Sequence, residues 1–272
     1  MKKNSTAIER LLKEGFFETK EAALPYIMSG AVYCGADKVT TGGQKVPMDR
    51  PMTVRGLDDR YVSKGGYKLE GAIADFGIDV HDRVCIDAGA CTGGFTDCLI
   101  KHGAQLVYAV EVGFGQLAGS LSQDSRVVNL EKTNLGDEKL LALDPVPTLG
   151  SVDLSYLSLV KAVPQYRAIM HGQGELMCLV KPLFETDDPV ARRTGEIDPS
   201  SFPTLLRKLC DTLDAQENTH AVAVTHSPVT GNNGTHEFFL HVKFGAQDEA
   251  HVTDEAIAAA VERVLSLEKY RK

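Results

Sequence analysis

Several things are missing from these 272 residues, and each absence removes a class of function. No window approaches the roughly 18 uninterrupted apolar residues that a bilayer-spanning helix requires. The opening stretch, MKKNSTAIERLLKEG, is basic but has no apolar core before Glu9 and Glu14 interrupt it. It does not read as an export signal, and a cytoplasmic location is expected. The six cysteines form no C-x-x-C pair, so reduced and mostly buried thiols are expected rather than a disulfide framework. The eight histidines lack metal-ligand spacing, which predicts no zinc site and no metal cofactor.

Charge is present but unevenly spread. The net value is −8, yet residues 1–56 carry nine Lys/Arg against six Asp/Glu, a local excess of +3. The remainder carries 20 against 31, giving −11. The asymmetry hints at a polyanion contact near the N-terminus.

The patterning divides the chain into a small module, residues 1–56, a polar linker, 57–66, and a large domain, 67–272. In the module, Thr6-Ala7-Ile8-Glu9 has the form of a capping box and predicts a helix over 7–14, stopped by Gly15. Thr19 can cap a second helix that contains Pro25, and short extended pieces follow at 31–33, 38–40, 45–46 and 52–54. Such a module is α+β and too small for a large core. Beyond the linker, strands are predicted at 83–87, 106–111, 126–130, 150–153 and 175–180. Helices are predicted at 67–76, 92–102, 115–122, 157–169 and 201–213. Alternation of this kind implies a parallel sheet covered on both faces. Two late extended runs, 221–225 and 238–242, flank Gly231-Asn232-Asn233-Gly234 as a hairpin. Thr253 can cap a last helix, and the charged loop 185–200 is expected to be mobile.

Glycine is concentrated where the first of those strands ends, in CIDAGACTGGFTD, with Gly89, Gly93 and Gly94 inside six positions. Taken alone, such a loop can be a tight strand–helix turn with no ligand. Its spacing is neither a P-loop nor the G-x-G-x-x-G of a dinucleotide site. Asp87 precedes the first glycine, which suits a ligand with a cationic end. Glu111 closes the next strand, where a carboxylate can accept from both hydroxyls of a ribose. The combination fits S-adenosylmethionine better than a nicotinamide dinucleotide.

Four ionisable residues stand where a parallel-sheet enzyme would keep its chemistry: Asp153 in SVDLSYLSL, Lys181 in CLVKPLFE, Glu237 in THEFFLHV and Lys68 in KGGYKLEG. Alone, Lys181, Glu237 and Lys68 each read as solvated surface groups, and Asp153 could equally be a helix cap. Together they suit methyl transfer to an alcohol, with Lys181 as base, Asp153 and Glu237 orienting, and Lys68 either depressing the pKa of Lys181 or holding the substrate.

With these residues in view, the chain resembles the TlyA-type family, also labelled haemolysins, of 2′-O-ribose rRNA methyltransferases. The resemblance rests on YVSKGGYKLEGA, DAGACTGGFTDCL, YAVEVGFGQLA, VDLSYLSL, LVKPLFE and SPVTGNNGTHEFF, in family order from residue 61 to about 242. It implies an α/β fold: a Rossmann-like S-adenosylmethionine-dependent methyltransferase domain of FtsJ type behind a small α+β S4-like RNA-binding domain. It also implies a Lys68-Asp153-Lys181-Glu237 tetrad acting on a ribose hydroxyl, expected to be that of a cytidine, in ribosomal RNA or ribosomal subunits. The implied cofactor residues are Asp87, Gly89, Gly93, Gly94, Phe95, Glu111, Asn134 and Asp153. RNA contacts are expected from Lys13, Lys20, Lys38 and Lys45 of the module and from Lys64 and Arg193. The chain departs from the family pattern at Thr6-Ala7-Ile8, at Tyr33-Cys34-Gly35, at Lys20 and Lys64 in place of arginines, at Glu111 in place of aspartate, and at Glu196-Ile197-Asp198-Pro199. Those departures touch RNA docking more than methyl transfer.

Three other readings compete. A lytic, non-enzymatic haemolysin would need a basic amphipathic helix, whereas TDEAIAAAVERVLSLEKY is acidic at its start. An RNA-binding assembly factor would keep the fold without needing the four residues. A dehydrogenase would need different glycine spacing.

Overall fold

The computed structural model describes residues 4–14, 16–17, 19–48, 50–54, 60–155, 157–231, 234–245 and 250–267. Gly15, the first three residues of the linker (57–59), and Asn232 and Asn233 of the late loop lie outside the described residues. The chain divides into two units, Met1–Arg60 and Tyr61–Lys272.

In the first unit, strand β1 (Asn4–Thr6) runs into helix α1 (Ala7–Lys13). The capping box is formed: the Thr6 hydroxyl accepts from the Glu9 amide at 3.2 Å, and the Glu9 carboxylate accepts from the Thr6 amide at 2.9 Å. Helix α2 (Lys20–Met28) follows and tolerates Pro25. Strands β2 (Val32–Cys34), β3 (Asp37–Lys38), β4 (Lys45–Pro47) and β5 (Met52–Val54) complete the unit. β3, β2 and β5 make one small antiparallel sheet, while β1 pairs with β4, a pairing the sequence did not announce. The core is modest: Ala7, Leu11, Ala23, Ile27, Val32, Val39 and Val46. Arg10 is buried beneath it, bonded to Glu14 at 2.5 Å and to the Pro47 carbonyl.

The second unit opens with α3 (Gly65–Phe76), then β6 (Val84–Ala88), α4 (Gly94–Lys101), β7 (Leu106–Val110), the single turn α5 (Gly119–Ser122) and β8 (Val127–Leu130). After them come β9 (Leu149–Val152), α6 (Leu159–Ile169), β10 (Gly174–Val180), α7 (Pro182–Glu185), α8 (Pro189–Thr194) and α9 (Phe202–Asp214). The hairpin strands β11 (Thr219–His226) and β12 (Phe238–Phe244) and helix α10 (Asp254–Leu265) close it.

The seven strands order as β11-β12-β10-β9-β6-β7-β8, with β12 antiparallel to both neighbours and β6 through β10 parallel. Every residue of β6 is buried, as a central strand covered on both faces requires. One face packs on α3 and α4 through Leu69, Ile73, Cys98 and Leu99. The other packs on α6, α9 and α10 through Val163, Tyr166, Leu206 and Val261.

Three sequence expectations change. The helix over 115–122 shrinks to α5. The loop 185–200 is not irregular, because Asp188 caps α8 by accepting from the Val190 amide at 2.8 Å, Pro189 starts it, and Gly195 ends it in the left-handed region. Lys68 and Glu237, each taken alone as a surface group, are both buried, in α3 and just before β12.

Near the amino ends of β9 and β10, Glu175 bridges Arg83 at 2.5 Å and His241 at 2.7 Å. Hydrogen bonds from these partners, His241 foremost, hold its carboxyl down at about 2 instead of 4.5. A lowered acid stabilises the fold above its unfolded value and loses that contribution as pH falls through the folded one. Glu175→Ala should therefore cost roughly 2–3 kcal/mol in urea unfolding at pH 7, less than breaking a fully buried pair because Glu175 and Arg83 keep some exposure. Its gap to the unsubstituted chain should narrow as pH falls from 4.5 towards 2. A pH-independent gap would exclude this linkage.

Candidate active site

The parallel strands end on one edge, where Asp87, Gly89, Glu111, Asp153 and Lys181 lie at or just past strand ends. Asp87, the penultimate residue of β6, is wholly buried. Its two oxygens accept from Thr96 of α4 at 2.7 Å and from Ser151 of β9 at 2.9 Å. Burial pushes its carboxyl up to about 6, against the opposing pull of those hydrogen bonds. Asp87 thus clamps strand, helix and neighbouring strand together, and its carboxylate does not face open space.

The glycines after it answer to the protein's own packing. At Gly89, with φ of +84°, a Cβ would lie 2.3 Å from the Asp153 carbonyl oxygen. At Gly93, with φ of +95°, it would lie 2.3 Å from a Leu121 methyl, and at Gly94 2.2 Å from the Ser63 hydroxyl. The Gly89 and Ala90 amides donate to the Val110 carbonyl at 3.0 and 3.2 Å, which folds the loop over the end of β7. There Glu111 accepts from the amides of Cys91 at 2.9 Å and Gly113 at 2.7 Å. Each carboxylate oxygen has a second acceptor direction, so Glu111 can still take a vicinal diol. Asn134 is exposed just beyond β8, its amide carbonyl accepting from Gly136 at 3.0 Å. Phe95 points the other way: it is buried and packs on Phe239 at 6.0 Å between ring centres, leaving only its backbone to a ligand.

The four lysine and acid residues form two ion pairs. Lys68 is bonded to Glu237, and both are 5 % exposed. Gly231 gives this pair room, since a Cβ there would lie 2.3 Å from a Glu237 oxygen. Lys181 stands 2.5 Å from Asp153 and donates to the Ser155 hydroxyl at 2.8 Å. Lys181, Ser155 and Glu237 line one cleft of about 560 Å³, together with Pro182, Phe184, Phe202 and His236. That volume is in the range that takes a nucleoside-sized ligand. A larger depression of about 1060 Å³ behind α7 contains none of the four, and the chemistry points to the smaller cleft.

Lys13, Lys20, Lys38 and Lys45 are exposed on the first unit, Lys38 lying across Gly30. Lys64 begins α3 and reaches the Thr230 carbonyl at 3.5 Å, while Arg193 is exposed on α8. Sequence reasoning missed Thr96 and Ser151 as partners of Asp87, and Ser155 as a partner of Lys181. It also missed Glu185, which ends α7 and accepts from the Leu159 amide at 2.9 Å. Burial pushes the Glu185 carboxyl up to about 7. Among the described residues there is no cluster of three or more metal-ligating side chains, and no helix long and apolar enough to cross a membrane.

A seven-stranded sheet in this order, with one antiparallel strand inserted near its end and a glycine loop at the switch point, defines the Rossmann-like methyltransferase fold. Within it, this chain belongs to the FtsJ-like methyltransferase family, which matches residues 61–244. It is similar to "Putative rRNA methyltransferase YqxC" of Bacillus subtilis, at 36% identity over 96% of this chain and 94% of that one. It is also similar to "16S/23S rRNA (cytidine-2'-O)-methyltransferase TlyA" of Mycobacterium tuberculosis, at 34% identity over 94% and 95%. Among solved structures, "Putative hemolysin from Streptococcus thermophilus" superposes with a TM-score of 0.68 at 31% identity, over 97% of this chain and 98% of that one.

The dry ion pair sets a stability test. Lys68→Met strands a buried carboxylate and should cost about 3–5 kcal/mol in denaturant unfolding. Lys68→Met combined with Glu237→Leu should recover most of that loss, because no charge is left unpaired. Additive losses would mean that the two residues do not act as a pair.

Proposed function

We propose that the protein transfers a methyl group from S-adenosylmethionine to a ribose 2′-hydroxyl of ribosomal RNA, on a cytidine. The observation that carries this reading is the Lys181–Asp153–Ser155 contact at the wall of a nucleoside-sized cleft that also holds Glu237. The substrate class is supported by the names of the relatives, the ribose acceptor most directly by the cytidine-2′-O relative.

The fit to the cofactor rests on Glu111 with its remaining acceptor directions and on the loop held against Asp153. When bound, the cofactor supplies an electrophilic methyl on a sulfonium. Glu111 would hold its ribose hydroxyls and Asn134 its adenine side. Gly89, Gly93 and Gly94 let the loop lie close, and Asp87 fixes that loop from beneath. Lys181, as the neutral amine, would accept the proton of the ribose hydroxyl that receives the methyl, and would become an ammonium. Asp153 stabilises that ammonium, and Ser155 orients the amine through its hydroxyl. The Lys68–Glu237 pair, anchored between α3 and β12, sets the cleft wall. General-base assistance of this kind is worth about 10²–10⁴ in rate.

The first unit would dock RNA in the manner of an S4 domain. Lys13, Lys20, Lys38 and Lys45 are its exposed cations, and Lys64 and Arg193 add charge on the second unit. Contacts of this type give affinity and register rather than sequence readout. The setting for this activity is the cytoplasm, where ribosomal RNA is found.

Lys181→Ala should lower methyl transfer by about 10²–10⁴ while calorimetry still detects S-adenosylmethionine binding. Undiminished turnover would remove the base assignment. Mass spectrometry of ribose methylation in rRNA, with and without the protein, tests the substrate; identical maps would remove it. Replacing Lys13, Lys20, Lys38 and Lys45 with Ala should weaken rRNA binding and flatten its dependence on log salt by about 0.7–0.9 per lost contact. An unchanged slope would exclude the first unit from RNA docking.

A further inference from the structure

Lys181 and its partners sit on two separate connections, and something must keep those connections in register. Asp153 and Ser155 lie on the link from β9 to α6; Lys181 lies on the turn from β10 into α7. The first link is fixed at its start, where the Asp153 amide donates to the Ala88 carbonyl at 3.1 Å. At its far end the ordinary fixture is absent, because Ser158, the residue preceding α6, makes no side-chain cap bond. The first amide of that helix, Leu159, is instead capped by Glu185 at 2.9 Å.

Glu185 is the last residue of the short turn that Lys181 begins. The Phe184 amide donates to the Lys181 carbonyl at 2.8 Å, and the Thr186 amide to that of Pro182 at 2.9 Å. A rigid turn thus has Lys181 at one end, bonded to Asp153 and Ser155, and Glu185 at the other, bonded to Leu159. The two connections are stapled at two points, four residues apart on one and four to six apart on the other.

We propose that Glu185 is a positioning residue for methyl transfer, setting the distance between Lys181 and the Asp153–Ser155 link by capping α6 from α7. The inference rests on the Lys181 assignment made above. It concerns geometry: misplacing a reacting group by about 1 Å can cost on the order of 10² in rate. The side chain is half-buried, and a capping bond needs an acceptor oxygen rather than a full charge. Glutamine should therefore replace it and methionine should not, although both match its length.

The experiment compares Glu185→Gln, Glu185→Met and Lys181→Ala in the full chain, by single-turnover methyl transfer to rRNA from cells lacking the protein. Thermal unfolding of each variant establishes that it is folded. Glu185→Gln is expected within about 3-fold of the unsubstituted rate. Glu185→Met is expected to lose roughly 10- to 100-fold in the rate at saturation, with KM for RNA and for S-adenosylmethionine changed less than about 3-fold. Equal rates for the Gln and Met variants, or a loss confined to KM, would overturn the proposal. If Lys181→Ala is inactive while Glu185→Met is fully active, only the positioning role fails. If Lys181→Ala turns over normally, the catalytic assignment fails with it.

Discussion

The Asp87 carboxylate costs free energy to bury, and the hydroxyls of Thr96 and Ser151 offset that cost only if α4 and β9 stand where they do. The constraint fixes the neighbouring backbone as well. With β6 and β9 locked at this level, Gly89 passes so close to the Asp153 carbonyl that no side chain fits between them. Tyr166 seals the same junction from α6, its hydroxyl donating to the Ser151 carbonyl at 2.5 Å and accepting from the Ala88 amide at 3.1 Å. The loop that would face the cofactor and the strand end that carries Asp153 are therefore one rigid piece, and a shift in either moves both.

Around that piece the two lysine–acid pairs are dissimilar. Lys68 and Glu237 are dry, so either one without the other would be an uncompensated buried charge. Their pairing ties α3 to the start of β12. Lys181 and Asp153 have side chains 17% and 26% exposed, enough for a substrate hydroxyl to reach them. Four residues of similar chemistry in the sequence thus divide by burial into a pair suited to holding the cleft and a pair suited to meeting the substrate.

Much of this was legible in the sequence, for identifiable reasons. The run Val84-Cys85-Ile86 ends in an acid and a glycine loop, which marks a buried parallel strand and its switch point. Asp153 and Lys181 each stand one residue beyond a strand, where chain direction alone places them on the same edge. Less legible was what makes a residue necessary. The glycines suggest a ligand's close approach, yet the atoms nearest to them belong to Asp153, Leu121 and Ser63, contacts distant in sequence. Phe95 adjoins the loop and belongs to the core, because helical periodicity turns it towards Phe239. The Asp188-Pro189 start and Gly195 stop of α8 were readable by capping rules, and the density of charge in 185–200 obscured them. Glu185 carried no signal, since its partner is a main-chain amide on another helix.

These misses share a physical origin, and it bears on how such a site attains its rate. Proton removal by a positioned base contributes about 10²–10⁴, whereas holding reactants in an attack geometry can contribute effective molarities of about 10⁵–10⁸ M. The larger share is therefore supplied by whatever fixes the frame: a buried acid under a loop, a glycine against a carbonyl, a carboxyl capping a neighbouring helix. Such residues act through backbone groups, which every position possesses, so their types leave little trace in the chain. Lysines and acids at strand ends announce where proton transfer could occur. In the proposed reaction, the precision with which Lys181 would meet a hydroxyl depends on Asp87, Gly89 and the two connections they support.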